Sequence, residues 1–369
     1  MVGREISVEN LVPEYVRALV PYAPGKPIEE LERELGITGC IKLASNENPL
    51  GPSPRALEAI AAVAPSIHRY PDGNVFNLKK ALAERLSIEP SWLVFGNGSN
   101  ELIELAARTF LRPGESAVAG NPSFSVYGSV VQAMNGRMHL VPLVDGRHDL
   151  EGMAEAITAD TRIVFIANPN NPTGAMNDAG ELAAFMEKVP DHIIVVVDEA
   201  YYEYVTREDY PDSMSYVREG RNVIVLRTFS KIYGLAGLRI GYGMARPELV
   251  DAMNRVRQPF NANAVAQAAA LAALGDDDHM RKSIQVNYEG KVFMYALFQE
   301  MGVGYYPSEA NFIWLELERD AKEVYSALLH KGIIVRPMGP TQIRVSIGLP
   351  EENRRFAEAF KEIMGGGIE

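Results

Sequence analysis

The fold is decided by three segments in the middle of the chain, RIVFIANPNNPTG (162–174), HIIVVVDEAYYEY (192–204) and NVIVLRTFSK (222–231). Each segment opens with an almost uninterrupted apolar run rich in β-branched residues, which is typical of strands covered on both faces of a sheet. Segments with helical hydrophobic spacing lie between these runs. This alternation predicts an α/β fold with a mostly parallel sheet and crossover helices.

The same alternation begins near residue 46 and ends near residue 275, and we assign residues 46–275 to a large domain. Further strands are predicted for WLVF (92–95), SAVAG (116–120) and MHLVPL (138–143). Helices are predicted near 55–64, 77–86, 101–109, 151–156 and 179–186, and an alanine-rich helix is predicted over 263–274. The predicted large domain therefore contains a sheet that is flanked by helices.

The two ends of the chain are organised differently. After a long helix predicted over about 278–301, the runs NFIWLEL, AKEVYSALLH, GIIVRP, TQIRVSI and EENRRFAEAFKEIM predict a smaller C-terminal α+β domain, residues 276–369. Residues 1–45 contain predicted helices over Glu9–Val20 and Ile28–Leu35, separated by a proline-rich turn. We assign them to an N-terminal arm that forms part of the small domain.

The composition restricts the class of protein. The chain has 369 residues, of which 47% are hydrophobic and 23% charged, as in soluble globular proteins of about two domains. A net charge of −12 argues against nucleic-acid binding, which requires a basic surface. The single Cys40 suits a reducing compartment, and the sequence has no run of about 18 apolar residues that could span a membrane. We expect a cytoplasmic protein that binds neither nucleic acid nor membrane and has no metal site.

Polar side chains follow the three central strands at the edge of the sheet where open α/β proteins bind ligands. The groups delivered there are Asn171, Asp198, Tyr201, Thr228, Ser230, Lys231 and Arg239. Two hydroxyls and a guanidinium are suitable ligands for a phosphate group. The loop GNGSNE (96–101) offers a second anion site at a helix N-terminus, although Ser99 and Asn100 fit a plain helix cap as well. The sequence contains no Walker loop and no GxGxxG motif.

Lys231 stands beside this predicted phosphate site. A lysine among cationic groups can lose its proton and form a Schiff base, although most lysines are solvated surface residues. Asp198 is suited to face a protonated ring nitrogen, or it caps the next helix. Tyr201 and Asn171 are suited to contact a phenolate oxygen, or Tyr201 simply packs in the core. These chemical groups together match pyridoxal phosphate.

The chain resembles the fold-type-I pyridoxal-phosphate-dependent aminotransferases, class-II group, and within them the histidinol-phosphate aminotransferase group. The motifs that carry the resemblance cover almost the whole chain. They are LASNENPLGPSP (43–54), RYPDG (69–73), FGNGSNELIEL (95–105), NPSFSVY (121–127), ANPNNPTG (167–174), DEAYYEY (198–204), RTFSKIYGLAGLRIGY (227–242) and IRVSIG (343–348). The resemblance implies a large domain with a seven-stranded, mostly parallel sheet and a smaller α+β domain.

The resemblance also implies roles for individual residues. Catalytic roles fall to Lys231, Asp198 and Tyr201, and further contacts to the cofactor fall to Asn171, Ser99, Asn100, Thr228, Ser230, Arg239 and Phe124. Phe124 stands where relatives carry an aromatic residue, often tyrosine, that stacks on the cofactor ring. Tyr70 is similar to a tyrosine that reaches the phosphate of the partner subunit, which implies a homodimer with shared sites, although a turn residue stacked on Pro71 explains it too. Substrate contacts fall to Arg344, as the clamp of the α-carboxylate, and to the weaker candidates Arg336, Tyr22 and Asn48.

The activity implied by the group is transamination of L-histidinol phosphate with 2-oxoglutarate, which gives imidazole acetol phosphate and L-glutamate in histidine biosynthesis. Two related reactions stay open at this point. Tyr22, Phe124 and Tyr70 suit an aromatic amino acid as well, and a phosphothreonine decarboxylase shares most of the cofactor motifs. A regulatory protein that keeps the fold would need an attached DNA-binding segment, and the short arm leaves no room for one.

Overall fold

The computed structural model describes residues 8–365. Its strands are β1 (Ile41–Lys42), β2 (Leu93–Gly96), β3 (Ser116–Asn121), β4 (Arg137–Pro142), β5 (Thr161–Ala167), β6 (Ile194–Asp198), β7 (Val223–Thr228), β8 (Gly241–Met244), β9 (Gly304–Tyr305), β10 (Phe312–Glu316), β11 (Ile333–Ile334), β12 (Arg336–Pro337) and β13 (Gln342–Ser346).

The helices that accompany these strands are α1 (Glu14–Arg17), α2 (Ile28–Leu35), α3 (Pro54–Val63), α4 (Phe76–Leu86), α5 (Ser99–Phe110), α6 (Val126–Ala133), α7 (Leu150–Glu155), α8 (Ala179–Lys188), α9 (Ser213–Arg218), α10 (Pro247–Val256), α11 (Ala264–Leu274), α12 (Asp277–Met301), α13 (Ala321–His330) and α14 (Pro350–Gly365). Within residues 8–365, no helix is long and apolar enough to span a bilayer.

A seven-stranded sheet forms the centre of the molecule, in the order β2-β8-β7-β6-β5-β3-β4. All neighbouring strands in it are parallel except those that pair with β8. Side chains alternate between two buried cores, so that Ile194 and Val196 of β6 pack beneath one helical layer and Val195 and Val197 beneath the other. The arrangement confirms the predicted α/β fold.

The strand β8 was not predicted, and its glycines explain why. Glycine is depleted in strands, so the run GYGM carries a weak strand signal. A Cβ on Gly241 would lie 2.6 Å from the backbone nitrogen of Ser99. The glycine therefore allows the N-terminus of α5 to approach the sheet closely, at the edge where the central strands end.

The C-terminal part of the chain forms the predicted smaller α+β unit. Its antiparallel sheet has the order β12-β13-β10-β9 and shares one apolar core with α12, α13 and α14. The strand β1 pairs in parallel with β11, and Leu43 enters the same core. Met280 of α12 packs on the large-domain core and Phe298 of the same helix on the small-domain core. The domain limits at 45 and 275 stay a prediction, because α12 spans both cores.

The arm contains shorter helices than we predicted. The sequence predicts one helix over Glu9–Val20, whereas the structure has a 3₁₀ turn at Val8–Leu11 and then α1. Pro13 separates them in an extended conformation with φ −55° and ψ 145°. Proline restricts the residue before it to extended conformations and lacks a backbone N–H, so the helix cannot continue through it. The second predicted helix, Ile28–Leu35, is confirmed as α2.

Candidate active site

The carboxyl ends of β5, β6 and β7 open into a cavity of about 370 Å³, whose opposite wall comes from the arm and from β12 and β13. Most residues predicted for the site line this cavity. They are Tyr22, Ser99, Asn100, Phe124, Asn171, Asp198, Tyr201, Thr228, Ser230, Lys231, Arg239, Arg336 and Arg344. The parallel sheet brings these distant parts of the chain together, because its strands all end at the same edge.

One end of the cavity is built to hold an anion. The helix α5 begins at Ser99, so its first backbone N–H groups lie at the cavity wall without helical partners. Arg239 Nη1 donates to Ser230 Oγ at 3.3 Å, which places a guanidinium and a hydroxyl beside that helix end. Gly98 has φ 79°, and a Cβ there would collide with the Arg239 guanidinium. These are the groups for which the sequence predicts a role as phosphate ligands, and the structure places them side by side in a cup.

Thr228 organises the cup from behind. Its Oγ1 accepts a hydrogen bond from the Ser230 backbone nitrogen at 3.1 Å and is 3.4 Å from the Ile240 carbonyl oxygen, to which it donates. The hydroxyl proton is therefore directed to the backbone rather than into the cavity. Thr228 holds the turn that carries Ser230 and Lys231, whereas Ser230 reaches the anion site itself.

Lys231 lies at the bottom of the cavity, half-buried, with Nζ 3.3 Å from the Ser45 carbonyl oxygen. Desolvation, helped by the positive charges of Arg344 and Arg239, lowers the pKa of this amine to about 8 against the opposing charges of Glu47 and Asp198. A lysine with this pKa is partly neutral near physiological pH, so it can act as a nucleophile and as a base.

Asp198 ends β6 and is buried beside the cavity. The phenol of Tyr127 donates to its Oδ2 at 2.8 Å, and its Oδ1 has no partner within residues 8–365. Burial raises the pKa of Asp198 to about 6, against the opposing effect of the Tyr127 hydrogen bond. The free oxygen is suited to accept a hydrogen bond from a cationic N–H group in the cavity.

Tyr127 was not among the predicted site residues, although it closes the motif NPSFSVY. It is fully buried, stacks on Phe165 with ring centroids 4.8 Å apart, and meets the edge of Phe124 at 5.7 Å. The sequence pattern that could have identified Tyr127 is its position three residues after Phe124. Residues with this spacing at the start of a helix face the same side.

The other side of the cavity holds Tyr201, Asn171 and Arg344. Tyr201 Oη accepts a hydrogen bond from Asn46 Nδ2 at 2.9 Å. Arg344 is buried, and it donates from Nη1 to Asn171 Oδ1 at 2.6 Å and from Nη2 to the Ala44 carbonyl oxygen at 2.7 Å. Its Nε has no partner within the described residues. Within residues 8–365 the guanidinium is therefore held in place by two of its five N–H donors, and its Nε–H is unpaired.

The arm covers this side of the cavity. Arg336 Nη2 donates to the Ala23 carbonyl oxygen at 2.7 Å, and its guanidinium carbon lies 5.7 Å from the ring centroid of Tyr22. Both contacts hold the arm against β12. Tyr22 thereby presents an aromatic surface at the entrance, near the guanidinium of Arg344.

Two predicted residues lie outside the cavity. The prediction for Asn48 is corrected, because this side chain is buried and donates to the Ile232 carbonyl oxygen at 2.7 Å and to Ser283 Oγ at 2.9 Å. It joins the turn after Lys231 to α12. The asparagine of this segment that lines the cavity is Asn46, two positions earlier. Tyr70 is 83% exposed on the outer surface, so its role toward a partner subunit stays a prediction.

Residues 38–360 match the family model described as Aminotransferase class I and II. The model spans both the large sheet and the smaller C-terminal unit, and it includes most of the residues that line the cavity. The chain belongs to the class I and II aminotransferase family.

Curated relatives carry a more particular name. Histidinol-phosphate aminotransferase from Moorella thermoacetica is 51% identical over 95% of this chain and 92% of its own length. Histidinol-phosphate aminotransferase 1 from Nitrosococcus oceani is 48% identical over 95% of both chains. The crystal structure of histidinol-phosphate aminotransferase from Sinorhizobium meliloti in complex with pyridoxal-5'-phosphate aligns with a TM-score of 0.89 at 30% identity, over 96% of this chain and 97% of that chain.

Proposed function

We propose that this protein is a pyridoxal-phosphate-dependent aminotransferase that converts L-histidinol phosphate and 2-oxoglutarate into imidazole acetol phosphate and L-glutamate, a step of histidine biosynthesis. The names of relatives that share about half of its residues over 95% of the chain support this substrate. One observation in the structure carries the proposal. A lysine of lowered pKa, a buried carboxylate with a free oxygen and an anion cup line a single cavity.

The cavity fits pyridoxal phosphate by its donors and acceptors. The phosphate would be held by the N-terminus of α5, Ser230 and Arg239, and the ring nitrogen by the free oxygen of Asp198. Tyr201 and Asn171 would contact the ring oxygen, and Phe124 would pack on the ring face. When bound, this cofactor supplies an electrophilic carbon for amines and a ring that accepts the electron pair left at the substrate Cα.

Lys231 would hold the cofactor covalently, and once an amino donor replaces it, its amine would carry a proton from the substrate Cα. A pKa of about 8 suits this work, because both protonation states are then populated near neutral pH. Asp198 would keep the ring nitrogen protonated. Its burial excludes water that would otherwise weaken this charge interaction.

Arg344 is the group best placed for the anionic end of both substrates. Histidinol phosphate carries a phosphate ester where glutamate carries a carboxylate, and a guanidinium can contact two oxygens of either anion. The two anchored nitrogens keep the fork fixed while substrates exchange, and Nε stays available as a donor. The imidazole would lie toward Tyr22 and the arm, with Arg336 at the entrance.

The active enzyme is proposed to be a cytoplasmic homodimer. Tyr70 and Phe260 stack with ring centroids 4.8 Å apart while both are exposed, and Ile67 and Phe76 are exposed as well. A second copy that covers these residues would bring Tyr70 to the phosphate cup of its partner. A single buried cysteine suits the reducing cytoplasm.

A steady-state assay of substrate preference tests the proposal. Purified protein with added pyridoxal phosphate is given 2-oxoglutarate and either histidinol phosphate or phenylalanine, and glutamate formation is measured. We expect a higher kcat/KM for histidinol phosphate. A higher kcat/KM for phenylalanine would assign the protein to aromatic amino-acid metabolism instead, and release of CO₂ from phosphothreonine would assign it to decarboxylation.

A further inference from the structure

Three buried polar residues, Asn46, Ser346 and Tyr201, form a hydrogen-bond network at the edge of the cavity. The Asn46 backbone nitrogen donates to Ser346 Oγ at 2.9 Å, and Ser346 Oγ lies 3.0 Å from Asn46 Oδ1. Asn46 Nδ2 lies 2.9 Å from Tyr201 Oη. All three residues are buried, and Ser346 comes from β13 whereas Tyr201 follows β6. The network therefore joins the two domains through the segment that carries Asn46.

The direction of every hydrogen bond in the network follows from one donor that cannot be reversed, the Asn46 backbone N–H. A backbone N–H can only donate, so Ser346 Oγ accepts from Asn46 and must use its single proton elsewhere. That proton goes to Asn46 Oδ1, which orients the amide so that Nδ2 faces Tyr201. Tyr201 Oη then accepts, and no group within residues 8–365 accepts its own proton. The phenol proton is left free to point into the cavity.

We propose that Ser346 and Asn46 are positioning residues that fix the phenol of Tyr201 as a hydrogen-bond donor toward the ring oxygen of the cofactor. The inference rests on the proposed function for the identity of that acceptor. Without the network, the phenol can rotate and donate to any nearby oxygen. With it, the donor is oriented before the cofactor binds, so no free energy is spent on reorganisation.

The charged groups around Tyr201 agree with a permanent donor. Burial raises the pKa of Tyr201 to about 12, although the positive charge of Arg344 and the Asn46 hydrogen bond oppose this effect. Asp198 adds a negative charge on the same side, and Lys231 Nζ lies 5.7 Å from the ring centroid. The phenol therefore stays protonated through the range in which the enzyme works.

The direct test reverses the polarity of the network with Asn46→Asp. A carboxylate can only accept, so the Tyr201 proton turns away from the cavity and the ring oxygen of the cofactor loses a donor. The protein loaded with pyridoxal phosphate is titrated with pH, and the midpoint of its visible absorbance change is recorded. That midpoint reports the proton shared by the ring oxygen and the Lys231 nitrogen. A donor stabilises the negative charge of the ring oxygen, so losing that donor should raise the midpoint by about one to two pH units.

A double-mutant cycle with Tyr201→Phe separates this effect from the added negative charge. In the Tyr201→Phe background, Asn46→Asp should raise the midpoint by about 0.5–2 units less than it does alone, because no phenol proton remains to turn. Ser346→Ala, which frees the Asn46 amide to flip, should raise it by a smaller amount that also vanishes in Tyr201→Phe. The fold of every variant is checked by its unfolding temperature.

Equal shifts from Asn46→Asp in the two backgrounds would overturn the inference, since the substitution would then act by charge alone. An unchanged midpoint in Ser346→Ala would overturn the part assigned to Ser346. Failure of the proposed function looks different: after gel filtration the wild-type protein would retain no absorbance from pyridoxal phosphate. The absorbance is measured without substrate, so no outcome depends on turnover.

Discussion

Tyr127 and Asp198 are joined by a hydrogen bond of 2.8 Å from the phenol oxygen to one carboxylate oxygen, and the second carboxylate oxygen has no partner within residues 8–365. The pairing decides which oxygen faces the cavity. It also leaves a buried carboxylate that is incompletely satisfied, which costs stability when the group is ionised. A function-bearing residue of this kind is expected to trade stability for activity.

Asp198→Asn is predicted to raise the stability of the cofactor-free protein and to lower the turnover of the enzyme. Folding raises the pKa of Asp198 from 3.8 to about 6, so the wild-type protein loses stability as the pH rises through that range. The neutral amide avoids this loss. The free energy of unfolding should rise by up to about 3 kcal/mol at pH 8 and by roughly half as much at pH 5, while turnover falls at least tenfold.

Denaturant unfolding at the two pH values measures this effect, and Asp191→Asn at an exposed position is the matched control. An equal change in stability at pH 5 and pH 8 would show that the Asp198 charge is not the cause. Turnover within twofold of wild type would show that Asp198 only caps the chain after β6.

Cofactor attachment is predicted to follow the ionisation of Lys231. The amine has a pKa of about 8 rather than 10.5, so the rate of covalent attachment should rise with pH to a midpoint near 8. Arg344→Met removes a positive charge that lowers this pKa and should move the midpoint upward. Arg336 lines the same cavity but is not among the charges that shift the pKa of Lys231, so Arg336→Met should leave the midpoint unchanged.

Borohydride reduction followed by mass spectrometry identifies the attachment residue. The label should lie on Lys231 and should be absent from Lys231→Ala, while exposed Lys282→Ala keeps it. Labelling of a different lysine in the wild-type protein would refute the assignment.

Arg344→Lys is predicted to weaken both substrates by roughly 2–5 kcal/mol, because an ammonium cannot make the two-pronged contact and the anion stays buried. Binding is measured for glutamate and histidinol phosphate separately in protein loaded with cofactor. Similar losses for the two ligands support one shared clamp. Unchanged binding of glutamate would remove Arg344 from that role.

Tyr70 is predicted to serve the site of a partner subunit, and two defective variants tested together can show this. Mixed Tyr70→Ala and Lys231→Ala chains form heterodimers in which one site has both residues intact. After subunit exchange, activity should return to about a quarter of wild type if pairing is random. No recovery from a mixture shown to contain heterodimers would place Tyr70 outside the active site.

The large sheet was predictable because β5, β6 and β7 are covered on both faces and therefore carry continuous apolar runs. The arm shows what was missed: Pro13 divides the helix expected over Glu9–Val20. The pattern of β8 was hidden by Gly241, which lets α5 approach the sheet, and by Gly243, where a Cβ would press on the side chains of Val94 and Leu226. In the arm, the backbone restriction at Pro13 outweighs the helical spacing of apolar residues. In β8, close tertiary packing requires glycines that weaken the strand pattern.

The cavity residues were predictable where they lie at or soon after the end of a strand, as Asp198 does in β6 and Lys231 does after β7. Asn46 and Ser346 were missed because their partners lie far away in sequence, and only the packing of β13 against the segment after β1 brings them together. Asn48 was assigned to the substrate because spacing along an irregular segment does not reveal which amide faces the cavity. Polar networks across a domain boundary leave little local signal.

The central claim, that this cavity transaminates histidinol phosphate, is tested most directly by the first half-reaction. Protein loaded with pyridoxal phosphate is mixed in a stopped-flow instrument with histidinol phosphate, glutamate or phenylalanine, and loss of the cofactor's visible absorbance is followed. We predict rapid loss with histidinol phosphate and glutamate and slow loss with phenylalanine. Faster conversion by phenylalanine, or no conversion by histidinol phosphate, would contradict the account.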